Sequence, residues 1–354
     1  MKTTLLPKTR SLSLAQSAGI LFRGAAPAIR LLMRPSTLAQ LPRLLIEGLA
    51  PARRMFIQGF NNSELSRLVQ SHASVTFVCS HARSGNTWMR YLLSDILMQN
   101  QGVQTTTDLA QPHKLVPDYY TDLIEPQSAA AESPGHLIKT HDTISLLQAR
   151  VSAAIDMRQC RYLYLFRTPE DVLVSLYHIA LREKYIRTRN RGDIDLFCLE
   201  YLPHWVEHLT SYLDALDNGV AIYLVSYEEL LRQPAAVLSD ALRWLGIPHT
   251  EATVQRAEYN MRFGKLQAME AKALHGGSRL FRRGVDGSGE SELKPETLSQ
   301  IRAAGKDLMA RANERLERQR LKHSGAPARQ AGTSVFVAGA NSGIGEATAV
   351  ITTR

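Results

Sequence analysis

The sequence predicts an α/β protein of three layers: a central, mostly parallel sheet with a P-loop-like phosphate-binding turn, and helices on both faces. Three observations lead there. Four short apolar runs, rich in β-branched and aromatic residues, are separated by stretches of helical period. The first run ends in a polar, glycine-containing turn that opens directly onto a helix-like segment. Strands alternating with helices call for parallel crossovers, which cover both faces of a sheet.

The first run, 75–79 (Val-Thr-Phe-Val-Cys), leads through polar residues 80–86 into a segment where Trp88-Met-Arg-Tyr-Leu-Leu93 and Ile96-Leu97 recur at helical spacing. Residues 101–135 scatter Pro, Thr and Asp and read as irregular. A second strand, 136–139 (His-Leu-Ile-Lys), precedes a helix-like 144–155. The third strand, 161–166, is followed by a helix opening near Pro169, a residue suited to a first helical turn. Residues 195–217 read as helix and 220–225 as the fourth strand. A helix over 235–245 is stopped by Gly246 and Pro248. A Gly- and Arg-rich loop, 276–289, then leads to a long amphipathic helix over roughly 295–320.

The chain has 354 residues, 44% hydrophobic and 21% charged, enough apolar material for a sizeable core. Its net charge is +9, and residues 1–60 hold nine Lys or Arg against the single acid Glu47. The rest of the chain is therefore close to neutral, and nucleic acid is not indicated as a partner. The division is a basic N-terminal extension (1–70), a main domain (71–321) and a linker with a tail (322–354). In the extension Arg23, Arg30 and Arg34 interrupt any apolar run near the ~18 residues of a membrane span. Three readings stay open: a basic amphipathic helix on an anionic membrane surface, an organelle transit segment, or a solvated extension with a helix packed on the domain. Cys79, Cys160 and Cys198 form no CxxC pair and read as buried free thiols of a reducing, cytoplasmic setting. Nothing in the sequence fixes an oligomeric state.

Three motifs carry chemistry. Arg83-Ser-Gly-Asn-Thr-Trp88 sits between a strand and its helix, where backbone N–H groups and the helix dipole favour an anion. Gly85 lets the backbone approach a phosphate, and Ser84, Asn86 and Thr87 add donors. Arg83 adds a fork suited to oxyanions, and Trp88 a face on which adenine can stack. No Gly-Lys-Ser/Thr ends the turn, which speaks against a nucleoside-triphosphate P-loop. By itself it also reads as a plain βα turn with Trp88 in the core. In Lys139-Thr-His141 the first and last side chains share a strand face. The imidazole can accept a proton near neutral pH and the ammonium can stabilise developing negative charge; local capping before the next helix is the alternative. Arg167 follows the third strand and Ser175 lies on the next helix, so both can converge on one phosphate. A surface ion pair and a helix-face hydroxyl are the lesser alternative.

Together, over about residues 70–320, these motifs resemble the cytosolic-type sulfotransferases, which use 3′-phosphoadenosine 5′-phosphosulfate (PAPS) and release 3′-phosphoadenosine 5′-phosphate (PAP). The first turn is similar to that family's 5′-phosphosulfate loop, Tyr-Pro-Lys/Arg-Ser-Gly-(Thr/Asn)-Thr-Trp, with His81 and Ala82 in place of Tyr-Pro. The resemblance implies that His141 is the catalytic base, with Lys139 and Arg83 assisting transfer. Arg167-Thr-Pro-Glu-Asp-Val-Leu-Val-Ser175 looks like the 3′-phosphate segment. Phe281-Arg-Arg-Gly284-Val-Asp-Gly287 looks like the Arg-Lys-Gly-x-x-Gly loop, giving Arg282, Arg283 and Gly284 to the same phosphate. There the family continues Asp-Trp-Lys, where this chain has Ser288-Gly-Glu290. Tyr227, in Tyr227-Glu-Glu-Leu, and Phe263 resemble adenine-pocket residues, and both read also as core aromatics.

The implied activity is transfer of a sulfuryl group from PAPS to a hydroxyl or amine of a small-molecule, carbohydrate or lipid acceptor, by in-line displacement and without a metal. Residues 101–135 and 185–200 are expected to shape the acceptor pocket. The alternatives are a nucleotide kinase, or a non-catalytic nucleotide-binding homologue that docks at membranes through residues 1–60. In the tail, Gly339-Ala-Asn-Ser-Gly343-Ile-Gly345 resembles the first βα unit of short-chain dehydrogenases. It lacks the acidic residue some twenty positions on that a dinucleotide site needs, and reads as a truncated remnant.

Overall fold

In the computed structural model the described residues are 43–71, 73–103, 111–124, 135–151, 155–183, 186–273, 281, 284 and 287–324. The expectations for residues 1–42, for Arg282 and Arg283, and for the dehydrogenase-like tail lie outside them. Four strands, β1 (Val75–Ser80), β2 (His136–Thr140), β3 (Arg161–Phe166) and β4 (Ile222–Ser226), form one parallel sheet in the order β2-β1-β3-β4.

The strands are buried nearly throughout, and alternate residues feed the two faces. On one face Phe77, Cys79, Tyr162, Tyr164 and Leu224 join Leu65 and Leu68 of α1 (Arg43–Gln70), Leu209 and Tyr212 of α6 (Ile194–Asp217), and Leu316 of α12 (Pro295–Ser324). On the other face Val78, Leu163, Leu165 and Val225 meet Leu92 and Leu93 of α2 (Asn86–Asn100) and Leu238 and Leu242 of α8 (Pro234–Leu245). This is the expected three-layer α/β architecture, reached because each strand must bury both of its faces.

Local signals set the element ends. Pro169 opens α5 (Pro169–Ala180), and Gly246 closes α8 at φ 75°. The helix after β2, α4 (Ile144–Arg150), stops five residues short of the expected end. Within the stretch read as irregular there is a short helix, α3 (Gln111–Leu115). After β4 come α7 (Tyr227–Arg232), then α9 (Glu251–Asn260) and α10 (Phe263–Ala273), which the sequence did not announce. In α9 only Val254 and Ala257 are buried, too few for an apolar period. A single turn, α11 (Ser288–Glu292), precedes α12, which runs four residues beyond its expected end. Gln319 of α12 meets the outer edge of β4: its Oε1 accepts from Leu224 N–H at 2.8 Å and its Nε2 donates to Leu224 O at 3.0 Å.

The helix α1 belongs to the same packed body. Asn61 donates to the carbonyls of Tyr119 and Asp122 at 2.8 Å each and accepts from Ile124 N–H at 2.9 Å. All three cysteines are buried and free. Among the described residues no helix is long and apolar enough to cross a membrane.

Candidate active site

Each strand delivers one functional group at its carboxyl end. Beyond β1, the turn at 81–85 bends sharply, with Arg83 at φ 75° and Gly85 at φ 95°. Gly85 is the N-cap of α2, and a Cβ there would lie 2.5 Å from Tyr227 Cδ2. Only a residue without a side chain fits both the left-handed backbone and that approach. The first N–H groups of α2 have no acceptor within the helix and carry its positive dipole end. Arg83 Nε donates to Ser175 Oγ at 3.0 Å, bridging this turn to α5.

Two predicted donors are turned inward. Asn86 gives its amide to Val78 O at 3.1 Å and Thr140 O at 3.2 Å, tying β1 to β2. Ser84 is buried and is not on the cleft wall. Trp88 is buried too, its Nε1 donating to Met261 O at 2.8 Å, with its ring edge-on to Tyr227.

At the end of β2, His141 Nδ1 donates to Ser80 O at 2.9 Å, since a carbonyl can only accept. That fixes the tautomer and leaves Nε2 as a lone pair. Burial and the neighbouring Lys139 ammonium both hold the imidazole below its ordinary value, so it stays neutral. Lys139 donates to Asp118, an ion pair buried on both sides. Burial opposes the Asp118 carboxylate, but Lys139 and the Tyr120 N–H outweigh it and keep it ionised.

Beyond β3, Arg167 lies with its guanidinium carbon 4.2 Å from the centre of the Tyr227 ring and donates to Asp171 Oδ2 at 3.0 Å. Asp171 also accepts from Gly287 N–H at 2.9 Å and Gly289 N–H at 2.8 Å, so one carboxylate holds both Arg167 and the start of α11. Beyond β4, Glu228 fixes the Tyr227 corner by accepting from Thr168 N–H at 2.9 Å and Ser226 Oγ at 2.8 Å. Gly284, at φ 61°, lies against the Phe263 ring, where a Cβ would come within 2.4 Å.

These strand ends open onto one cleft of about 670 Å3. It brings together Arg83, Gly85, Asn86, Thr87 and Trp88 with Lys139 and His141, and with Arg167, Ser175, Tyr227, Phe263 and Gly284. From the segments expected to shape an acceptor pocket it gains His113, Asp118, Thr121 and Ile186. A second, shallow groove of about 690 Å3 along α6, around Pro203 and Val206, holds none of these groups.

Sequence reasoning missed Asp118, hidden in a stretch without period, and the histidines His81, His204 and His208. His81 and His204 line the cleft, and His208 meets the His81 ring edge-on with ring centres 5.5 Å apart. Burial pushes His81 down to about 4 and His208 to about 3. The four-residue spacing of His204 and His208 on α6 was the available signal.

Comparison with known proteins agrees with this geometry. The sulfotransferase domain family matches residues 74–313. Cytosolic sulfotransferase 7 of Arabidopsis thaliana is 26% identical over 245 residues, 62% of this chain and 74% of its own. Flavonol 3-sulfotransferase of Flaveria bidentis is 25% identical over 258 residues, 66% of this chain and 80% of its own. The crystal structure of mouse sulfotransferase SULT7A1, complexed with PAP, shares the fold at a TM-score of 0.50 and 18% identity, over 71% of this chain and 91% of that one. The family match takes in all four strands and every strand-end group around the cleft, and on it the chain belongs to the sulfotransferases.

Proposed function

We propose that the cleft carries PAPS-dependent sulfuryl transfer to a hydroxyl or amine of a small-molecule acceptor, by in-line displacement with His141 as general base. One observation supports this most: the turn at Arg83, the Arg167–Ser175 corner and the His141 imidazole share a single cleft. The residues suit such a donor, because the side-chain-free turn at Gly85 opens α2 onto the cleft and the Arg83 and Arg167 side chains line the same cleft.

When bound, PAPS supplies the sulfuryl group, and PAP is its product. The N–H groups opening α2, with Thr87 and Arg83, bind the 5′ end. Arg167 and Ser175, joined by Arg282, Arg283 and the Gly284 backbone, grip the 3′-phosphate. Trp88, Tyr227 and Phe263 flank the adenine. His141 Nε2 takes the acceptor's proton while Nδ1–H stays on Ser80 O. Lys139 and Arg83 face the negative charge that builds on the leaving oxygen. Leu176, Ile179 and Ile186 on the same cleft suit an acceptor with an apolar body. The basic residues 1–60 suit peripheral contact with an anionic membrane surface, independently of the cleft.

The test is His141→Ala, assayed with labelled PAPS against a panel of phenols, steroids, sugars and alcohols. Turnover is expected to fall at least ~100-fold while PAP affinity is retained. Undiminished sulfation would remove the base from this reading.

A further inference from the structure

His141 sits on backbone that no ladder supports. Residues 141–143 follow β2 and belong to neither strand nor helix, so their carbonyls need other partners. One face of α6 provides two of them. His208 Nε2 donates to His141 O at 3.1 Å, and one turn on, Tyr212 Oη donates to Asp142 O at 2.7 Å. Because the carbonyl can only accept, His208 carries its hydrogen on Nε2, and its Nδ1 accepts from Tyr164 Oη at 3.0 Å. Both ring nitrogens of a buried histidine are thus committed. The Tyr164 and Tyr212 rings stack with centres 4.1 Å apart, which locks their rotamers. None of these three side chains lines the cleft, so none touches either substrate.

We propose that His208 and Tyr212 are positioning residues for sulfuryl transfer: by clamping the carbonyls of His141 and Asp142 they aim the His141 ring at the acceptor. The proposal rests on His141 being the base. Polar groups are costly in a core, and an apolar pair would fill the space equally well. Their placement is explained by the two carbonyls they satisfy.

The test uses the full chain and three substitutions. Tyr212→Phe deletes one hydroxyl and keeps the ring. His208→Leu removes the donor at similar volume, and His208→Gln restores a neutral donor of similar reach. In Tyr212→Phe and His208→Leu, kcat is expected to fall about 10- to 100-fold with KM for PAPS and Kd for PAP unchanged. In His208→Gln most of that loss should return. Wild-type kcat in both Tyr212→Phe and His208→Leu, with His141→Ala inactive, would overturn the clamp alone. So would a loss of PAP affinity parallel to the loss of kcat, which marks a merely structural role. Wild-type kcat in His141→Ala would overturn the base assignment first and the clamp with it.

Discussion

Lys139 and His141 lie two residues apart, yet opposite demands are made on them. The lysine is ion-paired to Asp118, while burial and that same lysine hold the imidazole neutral. The Ser80 carbonyl and, after it, Asp118 favour its protonated form. A base works when neutral, so kcat/KM rises with pH through the free enzyme's His141 titration and levels above it. Since that titration is displaced downward from 6.5, the acid limb should fall below pH 6.5. Asp118→Asn removes the anion and should move the limb lower still. A pH profile of kcat/KM decides this: a limb above 6.5, or an upward move in Asp118→Asn, contradicts the assignment.

Among the elements, α5 and the start of α11 are joined by the Asp171 carboxylate, which meets Arg167 and two backbone N–H groups at once. Asp171→Asn keeps the shape but loses the charge and one of the acceptors. Its PAP affinity should fall about tenfold or more, while affinity for the analogue lacking the 3′-phosphate changes little, as titration calorimetry can show. Equal losses for both ligands would detach Asp171 from the 3′ end. In the sequence, Arg83, His141 and Arg167 are legible because each follows a run of apolar residues that must be a buried strand, and a charge at such an end has few places to go. Asp171 reads as a helix residue one turn from Arg167, but its two glycine N–H partners lie over a hundred residues away and stay hidden. Asp118 and Tyr212 are illegible for the same reason, and the spacing of His204 and His208 shows a shared helix face but not the His141 carbonyl that His208 meets across the fold. Asn86 is half legible. Its place in the turn is plain, but its amide is drawn to two strand carbonyls rather than to the cleft.

At the scale of the molecule, the parallel order β2-β1-β3-β4 reverses direction at β1. The crevice at the carboxyl ends of such a sheet, where the chain departs to either side, is where ligands bind in open α/β folds. Here the four departures carry Arg83, His141, Arg167 and Tyr227, so the topology itself gathers the site. The same order leaves β4 as a margin, and there Gln319 makes both hydrogen bonds that a fifth strand would offer to Leu224. Gln319→Ala should cost about 1–2 kcal/mol of stability in denaturant titration. An unchanged midpoint would mean that the amide adds nothing to the sheet. With the seam closed by α12, each molecule withholds at Leu224 a template on which a second copy could zip strand to strand. Unsealing that single residue should therefore show in light scattering at high concentration before it shows in the rate of sulfation.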